Sequence, residues 1–315
     1  MFKNVLLTGG IVLFFLQQYL VAVPISMQFY IFLAGVFFLG VPHGALDLLV
    51  ATKNASLNKK SFSKIKFFGV YVGRLLLFSI VLYFFPVAGN IIFIFFAAYH
   101  FGETDLHQFN TQTLLGKNFV LAYGLMILSM ILLVHFDEVQ PMYQFFESGR
   151  NNNAIINWIS NNRFRIVSVV GIYFFVSTFI YFLRNSPSPD EGMGQFLIRL
   201  AILMSVLFSL PLLLGFSFYF IFWHSLLSLQ NILGYLTRQY QFSRKLIIRQ
   251  VLFYSLMAMG GIALFGSASY MFLDKNSIAG YIFLGLAVLT APHMGVMYEM
   301  YLHIRQNKLL GGKPS

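Results

Sequence analysis

Four histidines stand in apolar surroundings: Gly-Val-Pro-His43-Gly, Tyr-His100-Phe-Gly, Phe-Trp-His224-Ser and Ala-Pro-His293-Met-Gly. Neutral imidazole is a good ligand for iron, copper, zinc or nickel, and it spares a low-dielectric interior the charge of several carboxylates. Taken singly, each histidine reads first as a hydrogen-bonding contact between helices. Taken together, four in such settings could hold one metal ion. With no cysteine in the chain, disulfides, cysteine-ligated iron-sulfur clusters, thiolate haem and a cysteine nucleophile are excluded. Any metal must then use nitrogen and oxygen donors. Acids accompany the histidines at helical spacing: Asp47 lies four after His43, while Glu103 and His107 lie three and seven after His100, with Asp105 between them. Residues so spaced share a helix face. They could take a proton from a ligand's other nitrogen and set its tautomer, serve as an outer ligand, or form a solvated interfacial face.

The elements that must carry these residues are membrane helices. The 315 residues are 58% hydrophobic, 18% aromatic and 10% charged, against about 25% charged in soluble chains. Mean hydropathy is +0.74. Soluble globules, disordered chains and nucleic-acid-binding domains are poor readings of such a chain. Apolar runs fall at about 5–23, 26–50, 67–86, 90–107, 119–135, 166–183, 196–214, 216–236, 251–272 and 278–301. They predict an all-α, polytopic bundle of eight to ten transmembrane helices in a single domain over residues 1–315. The first run reads as an anchor rather than a signal peptide. The short link at Val87 to Gly89 and the near-fusion at Gly215 leave room for one broken or re-entrant pair.

The net charge of +11 is explained by orientation in a membrane and contact with anionic lipid, not by nucleic acid. Lys53, Lys59, Lys60, Lys64 and Lys66 cluster in one predicted loop. If Lys3 is cytoplasmic, the basic segments 51–66, 237–250 and the tail after Leu302 share its side, so both termini are cytoplasmic and the chain is a multi-pass protein of the cell membrane. The polar stretch Asp137 to Arg163, with Asn151, Asn152 and Asn153, then lies outside. The four histidines fall on the second, fourth, eighth and tenth helices, which run in one direction and hold them at similar depth. Gly44, Gly102 and Gly295 permit close helix approach beside them, and Pro42 and Pro292 free the carbonyls of Phe38 and Val288. Arg74 and Arg199 could pair with buried acids or snorkel, and His135 and His303 read as interfacial. Most of the 38 phenylalanines and 17 tyrosines face lipid; a minority could line a tunnel for a polyene.

The ordered set Pro-His43-Gly-Ala-Leu-Asp47, His100-Phe-Gly-Glu-Thr-Asp105, Phe-Trp-His224-Ser and Pro-His293-Met resembles the Brp/Blh family of bacterial and archaeal β-carotene 15,15'-dioxygenases, from about Gly40 to Tyr301. The resemblance implies an iron-dependent membrane enzyme that cleaves β-carotene at its central double bond with O2, giving two molecules of all-trans-retinal. Its metal would be Fe(2+), its setting the lipid bilayer, and its product a link to a retinal-binding rhodopsin. Carried over by motif, the iron histidines match His43, His100 and His224. One position departs: where the family's third motif carries a second histidine four residues on, this chain has Ser228. Serine is a poor iron ligand, and His293 is the favoured replacement, with Asp47, Glu103 and Asp105 acting on the histidines rather than on substrate. Ser228 also motivates the competing reading, a non-catalytic or altered-substrate carotenoid-binding paralogue. A transporter would explain Arg74 and Arg199 without requiring the histidines. A di-iron enzyme needs more than the seven histidines present. A retinal photoreceptor needs a lysine within a span, and every lysine falls in a predicted loop or terminus.

Overall fold

A computed structural model describes residues 2–145, 153–185, 192–239, 242–272 and 278–309; Asn151 and Asn152 of the predicted outer stretch lie outside them. Within a bilayer each backbone N–H and C=O must be satisfied inside its own segment, so long apolar runs become helices. The first run is α1 (Phe2–Phe15), closed by a π-helical turn, Leu16–Leu20. The second is a rod of four pieces: α2 (Ile25–Gly35), a π-helical turn (Val36–Gly40), α3 (Val41–Gly44) and α4 (Asp47–Leu57). α5 (Lys64–Phe84) and α6 (Pro86–Asp105) form a tight pair, followed by α7 (Leu114–Leu128) with its own π-helical turn (Ser129–Leu133). Next come α8 (Phe136–Phe145), α9 (Asn153–Arg184) and α10 (Met193–Ser209). The central rod is α11 (Leu212–Phe216), a long π-helical segment (Ser217–Ser225) and α12 (Leu226–Gln239); α13 (Arg244–Phe272) and α14 (Ile278–Leu309) complete the chain.

Each predicted apolar run coincides with one of these helical rods, and the described residues contain no strand. Among the described residues, five rods are long and apolar enough to cross a membrane: Ile25–Leu57, Lys64–Phe84, Leu114–Leu133, Asn153–Arg184 and Leu212–Thr237. The protein is an all-α polytopic bundle. Its outer face supports this, because α5, α9 and α13 expose Leu77, Ile80, Ile172, Phe175, Leu252 and Leu256 broadly, a surface that water would penalise and lipid would not.

Several boundaries differ from expectation. Val87 to Gly89 is the first turn of α6, because the chain reverses at Phe85 and Pro86 starts the next helix without needing an N–H partner. The central break falls at Leu210 and Pro211, and Gly215 sits inside α11. α9 begins at Asn153 rather than near Ile166, and its Arg163 binds Asp137 of α8 at 2.5 Å. That bond holds the Asp137 carboxyl below the usual carboxylate range.

Lys53 is a correction. It lies in α4, not in a loop, and is buried. α4 continues past the apolar run and brings this side chain to Tyr235, a member of the buried cluster that includes Leu46, Leu49, Ile232, Leu236 and Met300. Its methylene stem is buried, while the ammonium donates to the Tyr235 carbonyl and lies over the Tyr235 ring, 4.3 Å from its centroid.

α6 and α7 pack at backbone contact. A Cβ added at Gly124 would lie 1.7 Å from the Ala98 carbonyl oxygen, and one at Gly102 would lie 2.1 Å from that of Val120. Neither obstacle is a side chain that could swing aside, so Gly124→Ala must part the helices that hold His100. The expected cost is about 1–3 kcal/mol or more, read as a lower unfolding midpoint in detergent; an unchanged midpoint would refute this account of the α6–α7 contact.

Candidate functional site

The bundle brings all four histidines together, His43 from α3, His100 from α6, His224 from the π-helical segment and His293 from α14. Their rings form a closed circuit. Centroids are separated by 4.8 Å for His43 and His293, 5.3 Å for His293 and His100, 4.9 Å for His100 and His224, and 5.8 Å for His224 and His43. All four residues are between 1% and 6% exposed. Along the chain His43 lies between Val36 of one apolar cluster and Leu46 of the other.

Local backbone form aims two of them. α3, which carries His43, directly follows a π-helical turn, and His224 lies within one. A π turn inserts an extra residue and rotates the next part of the helix about its axis. Phe101 and Phe220 then wall in the His224 ring, at centroid distances of 4.5 Å and 6.1 Å.

Several nitrogens at this centre lack hydrogen-bond partners among the described residues. Both nitrogens of His100, Nδ1 of His224 and Nε2 of His293 are buried without a hydrogen bond among the described residues. Each such atom costs about 1–3 kcal/mol, and several at one point mark a place for a polar or metallic occupant. Imidazoles sharing a metal at bond lengths near 2.0–2.1 Å have ring centres roughly 5 Å apart, which is the spacing seen here. The rings are not, however, closed on one point: among the described residues no three histidine or carboxylate groups already form a metal-ligand set.

The acids take partners other than those their spacing suggests. Asp47 bonds not to its chain neighbour His43 but to His293, Oδ1 to Nδ1 at 2.8 Å, because Ala45 and Leu46 interrupt the rod between α3 and α4. Its Oδ2 accepts from the hydroxyl of Tyr71 on α5 at 3.1 Å. Glu103 binds Arg305 of α14 at 2.7 Å and no histidine, both groups being buried. Asp105 accepts three hydrogen bonds on Oδ2, from Tyr123 at 2.8 Å, Trp223 Nε1 at 2.9 Å and Tyr219 at 3.1 Å. Two of those donors, Tyr219 and Trp223, precede His224 on its own segment, so Asp105 anchors that segment to α6. Tyr71, Tyr123, Tyr219 and Arg305 were missed by sequence reasoning, since pairing across helices leaves no spacing signal.

The remaining ionisable residues lie apart. His107 Nδ1 contacts the Thr104 carbonyl at 3.0 Å. His135 is shared between the Leu207 carbonyl and Glu138, and Arg199 donates to Asn4. Arg74 neither pairs with an acid among the described residues nor joins the cluster; its guanidinium lies across Gly295. Ser228 is fully buried, and its hydroxyl has no partner among the described residues.

A cavity of about 210 Å³ opens beside the rings. His43, Asp47, Tyr71 and His293 are among its polar lining residues, while Phe67, Phe68, Phe220, Tyr254 and Leu289 supply apolar wall. Phe68 and Tyr254, 6.1 Å apart, face each other across α5 and α13. Lys53 is not part of the lining. It lies within a helix, contrary to the expectation that every lysine falls in a loop or terminus, and its amine is engaged at Tyr235.

A family described as Beta-carotene 15,15'-dioxygenase matches residues 34–301, a range containing all four histidines. A curated relative named Beta-carotene 15,15'-dioxygenase, from Uncultured marine bacterium 66A03, is 26% identical over 267 residues, covering 83% of this chain and 90% of its own. No solved structure matches the chain.

Proposed function

The chain belongs to the Beta-carotene 15,15'-dioxygenase family, and from that premise we propose that it cleaves β-carotene at the central double bond with O2, yielding two molecules of all-trans-retinal. The observation that supports this most is the convergence of four buried histidine rings, two of which, His43 and His293, line an apolar cavity. His43, His100, His224 and His293 would hold ferrous iron, whose positive charge and open positions supply the capacity to bind and activate O2. One oxygen atom ends on each new aldehyde, so the reaction needs no external reductant and no proton donor.

The chain's own contribution is placement and exclusion. Phe67, Phe220 and Tyr254 offer aromatic faces to a polyene, and the enclosing helices keep water from the reacting carbons. The cavity is smaller than the roughly 300–1,000 Å³ usual for drug-sized ligands, so it takes one arm of a C40 chain while the other arm lies across the rings or in lipid. Ala258, a small residue on the wall from α13, is where that arm would be blocked. Ala258→Trp is expected to reduce retinal formation at least about tenfold while leaving bound iron unchanged; loss of iron with it would show that the residue acts on the metal site instead.

Expression in a β-carotene-accumulating bacterium tests the proposal, with pigments extracted and the protein verified in membranes. Disappearance of the orange colour together with retinal supports central cleavage. Ser228, and the lack of a preformed ligand set among the described residues, favour the second reading, a carotenoid-binding protein without catalysis. It predicts intact β-carotene in the cells and carotenoid bound to the purified protein.

A further inference from the structure

Tyr71 is singled out by position. It lies on α5, a helix mostly facing outward, yet its hydroxyl reaches inward to Asp47 Oδ2 at 3.1 Å while Asp47 Oδ1 meets His293 Nδ1 at 2.8 Å. All three residues line the cavity. An ionised carboxylate only accepts hydrogen bonds, so the protons of this chain belong on the tyrosine oxygen and on Nδ1. With Nδ1 protonated, the free electron pair of His293 is on Nε2, the nitrogen that is buried and without a hydrogen-bond partner among the described residues.

A carboxylate held at one oxygen can still turn about its last torsion. A donor on the second oxygen fixes its plane. Phe67, 5.6 Å away by ring centroid, in turn fixes the Tyr71 ring. We propose that Tyr71 is a positioning residue that, through Asp47, holds His293 with its proton on Nδ1 and its Nε2 electron pair available within the histidine cluster. The benefit for metal binding rests on the iron reading above; the tautomer assignment does not. A merely structural Tyr71 would dock α5 by its ring alone, and phenylalanine would replace it without consequence at His293.

The test uses the full chain in lipid nanodiscs with nitrogen-15 histidine, free of added metal, and assigns His293 by loss of its signals in His293→Gln. The expected spectrum shows His293 protonated on Nδ1 in the unsubstituted protein and a growing Nε2-protonated population in Tyr71→Phe. Anaerobic titration with Fe(2+) should give a Kd raised roughly three- to tenfold by Tyr71→Phe and roughly 10- to 100-fold by Asp47→Leu. Adding Tyr71→Phe to Asp47→Leu should change Kd less than about twofold, because the tyrosine acts only through the carboxylate. An Nε2-protonated His293 in the unsubstituted protein overturns the proposal whatever the variants do, and so does a Tyr71→Phe protein whose His293 signals and Kd are unchanged. Should the tautomer behave as expected while no Fe(2+) binds, the positioning role stands and the iron reading fails.

Discussion

Replacing His293 with alanine is expected to weaken Fe(2+) binding by roughly 100-fold or more, beyond the loss caused by disturbing a ligand's hydrogen-bond partner, and to abolish retinal formation. The expectation comes from the ring circuit: His293 lies between His43 and His100, and its Nε2 is one of the buried nitrogens lacking a partner among the described residues. Without it three imidazoles remain, and Ser228 offers only a hydroxyl. Iron content after purification and anaerobic titration measure the effect directly. Near-stoichiometric iron in His293→Ala would remove this residue from the ligand set. The position of Ser228, one turn after His224 and fully buried, gives a companion experiment. Ser228→His in the His293→Ala background should recover part of the affinity, since residues four apart share a helix face; the larger ring must fit a closed site, which limits the recovery.

Asp105→Leu is expected to destabilise the protein by about 3–5 kcal/mol, because it strands three buried donors that each cost about 1–3 kcal/mol when unpaired. Those donors are Tyr123 on α7 and Tyr219 and Trp223 on the π-helical segment. The carboxylate therefore ties three parts of the bundle at one oxygen. Asp105→Asn retains a carbonyl acceptor and should cost less than half as much. Trp223 is one of two tryptophans in the chain, so fluorescence during unfolding in detergent reports this contact closely. A change below about 1 kcal/mol in Asp105→Leu would show that the three donors find other partners. Iron affinity should fall as well, since Trp223 immediately precedes His224.

The helices were legible because the constraint that makes them is local. Apolar runs near bilayer length satisfy their backbone internally whatever their neighbours do, so runs such as 67–86 and 119–135 could be placed from composition alone. The histidines were legible for a related reason: an imidazole inside an apolar segment is costly unless it has a task. Their convergence was also foreseeable, because the expected topology puts all four on helices of one direction at similar depth. Lys53 shows the limit of the same logic. Its charge marked it for a loop, yet a long stem and a backbone carbonyl from another helix make burial tolerable.

Residue types and spacing thus established the all-α membrane architecture, the four histidines and the resemblance they carry. Partnership among the polar groups belongs to the packed bundle. Spacing along one helix paired Asp47 with His43 and Glu103 with His100; packing across helices gave Asp47 to His293 and Tyr71, Glu103 to Arg305, and Asp105 to two tyrosines and a tryptophan. The physical reason is that a hydrogen bond depends on separations of tenths of an ångström between helices. Those separations are set by glycines at backbone contact, such as Gly102 and Gly124, and by π-helical turns at Val36–Gly40 and Ser217–Ser225 that rotate His43 and His224 into place. Neither the helix contacts nor the extra residue in a turn is written in the periodicity of a single segment.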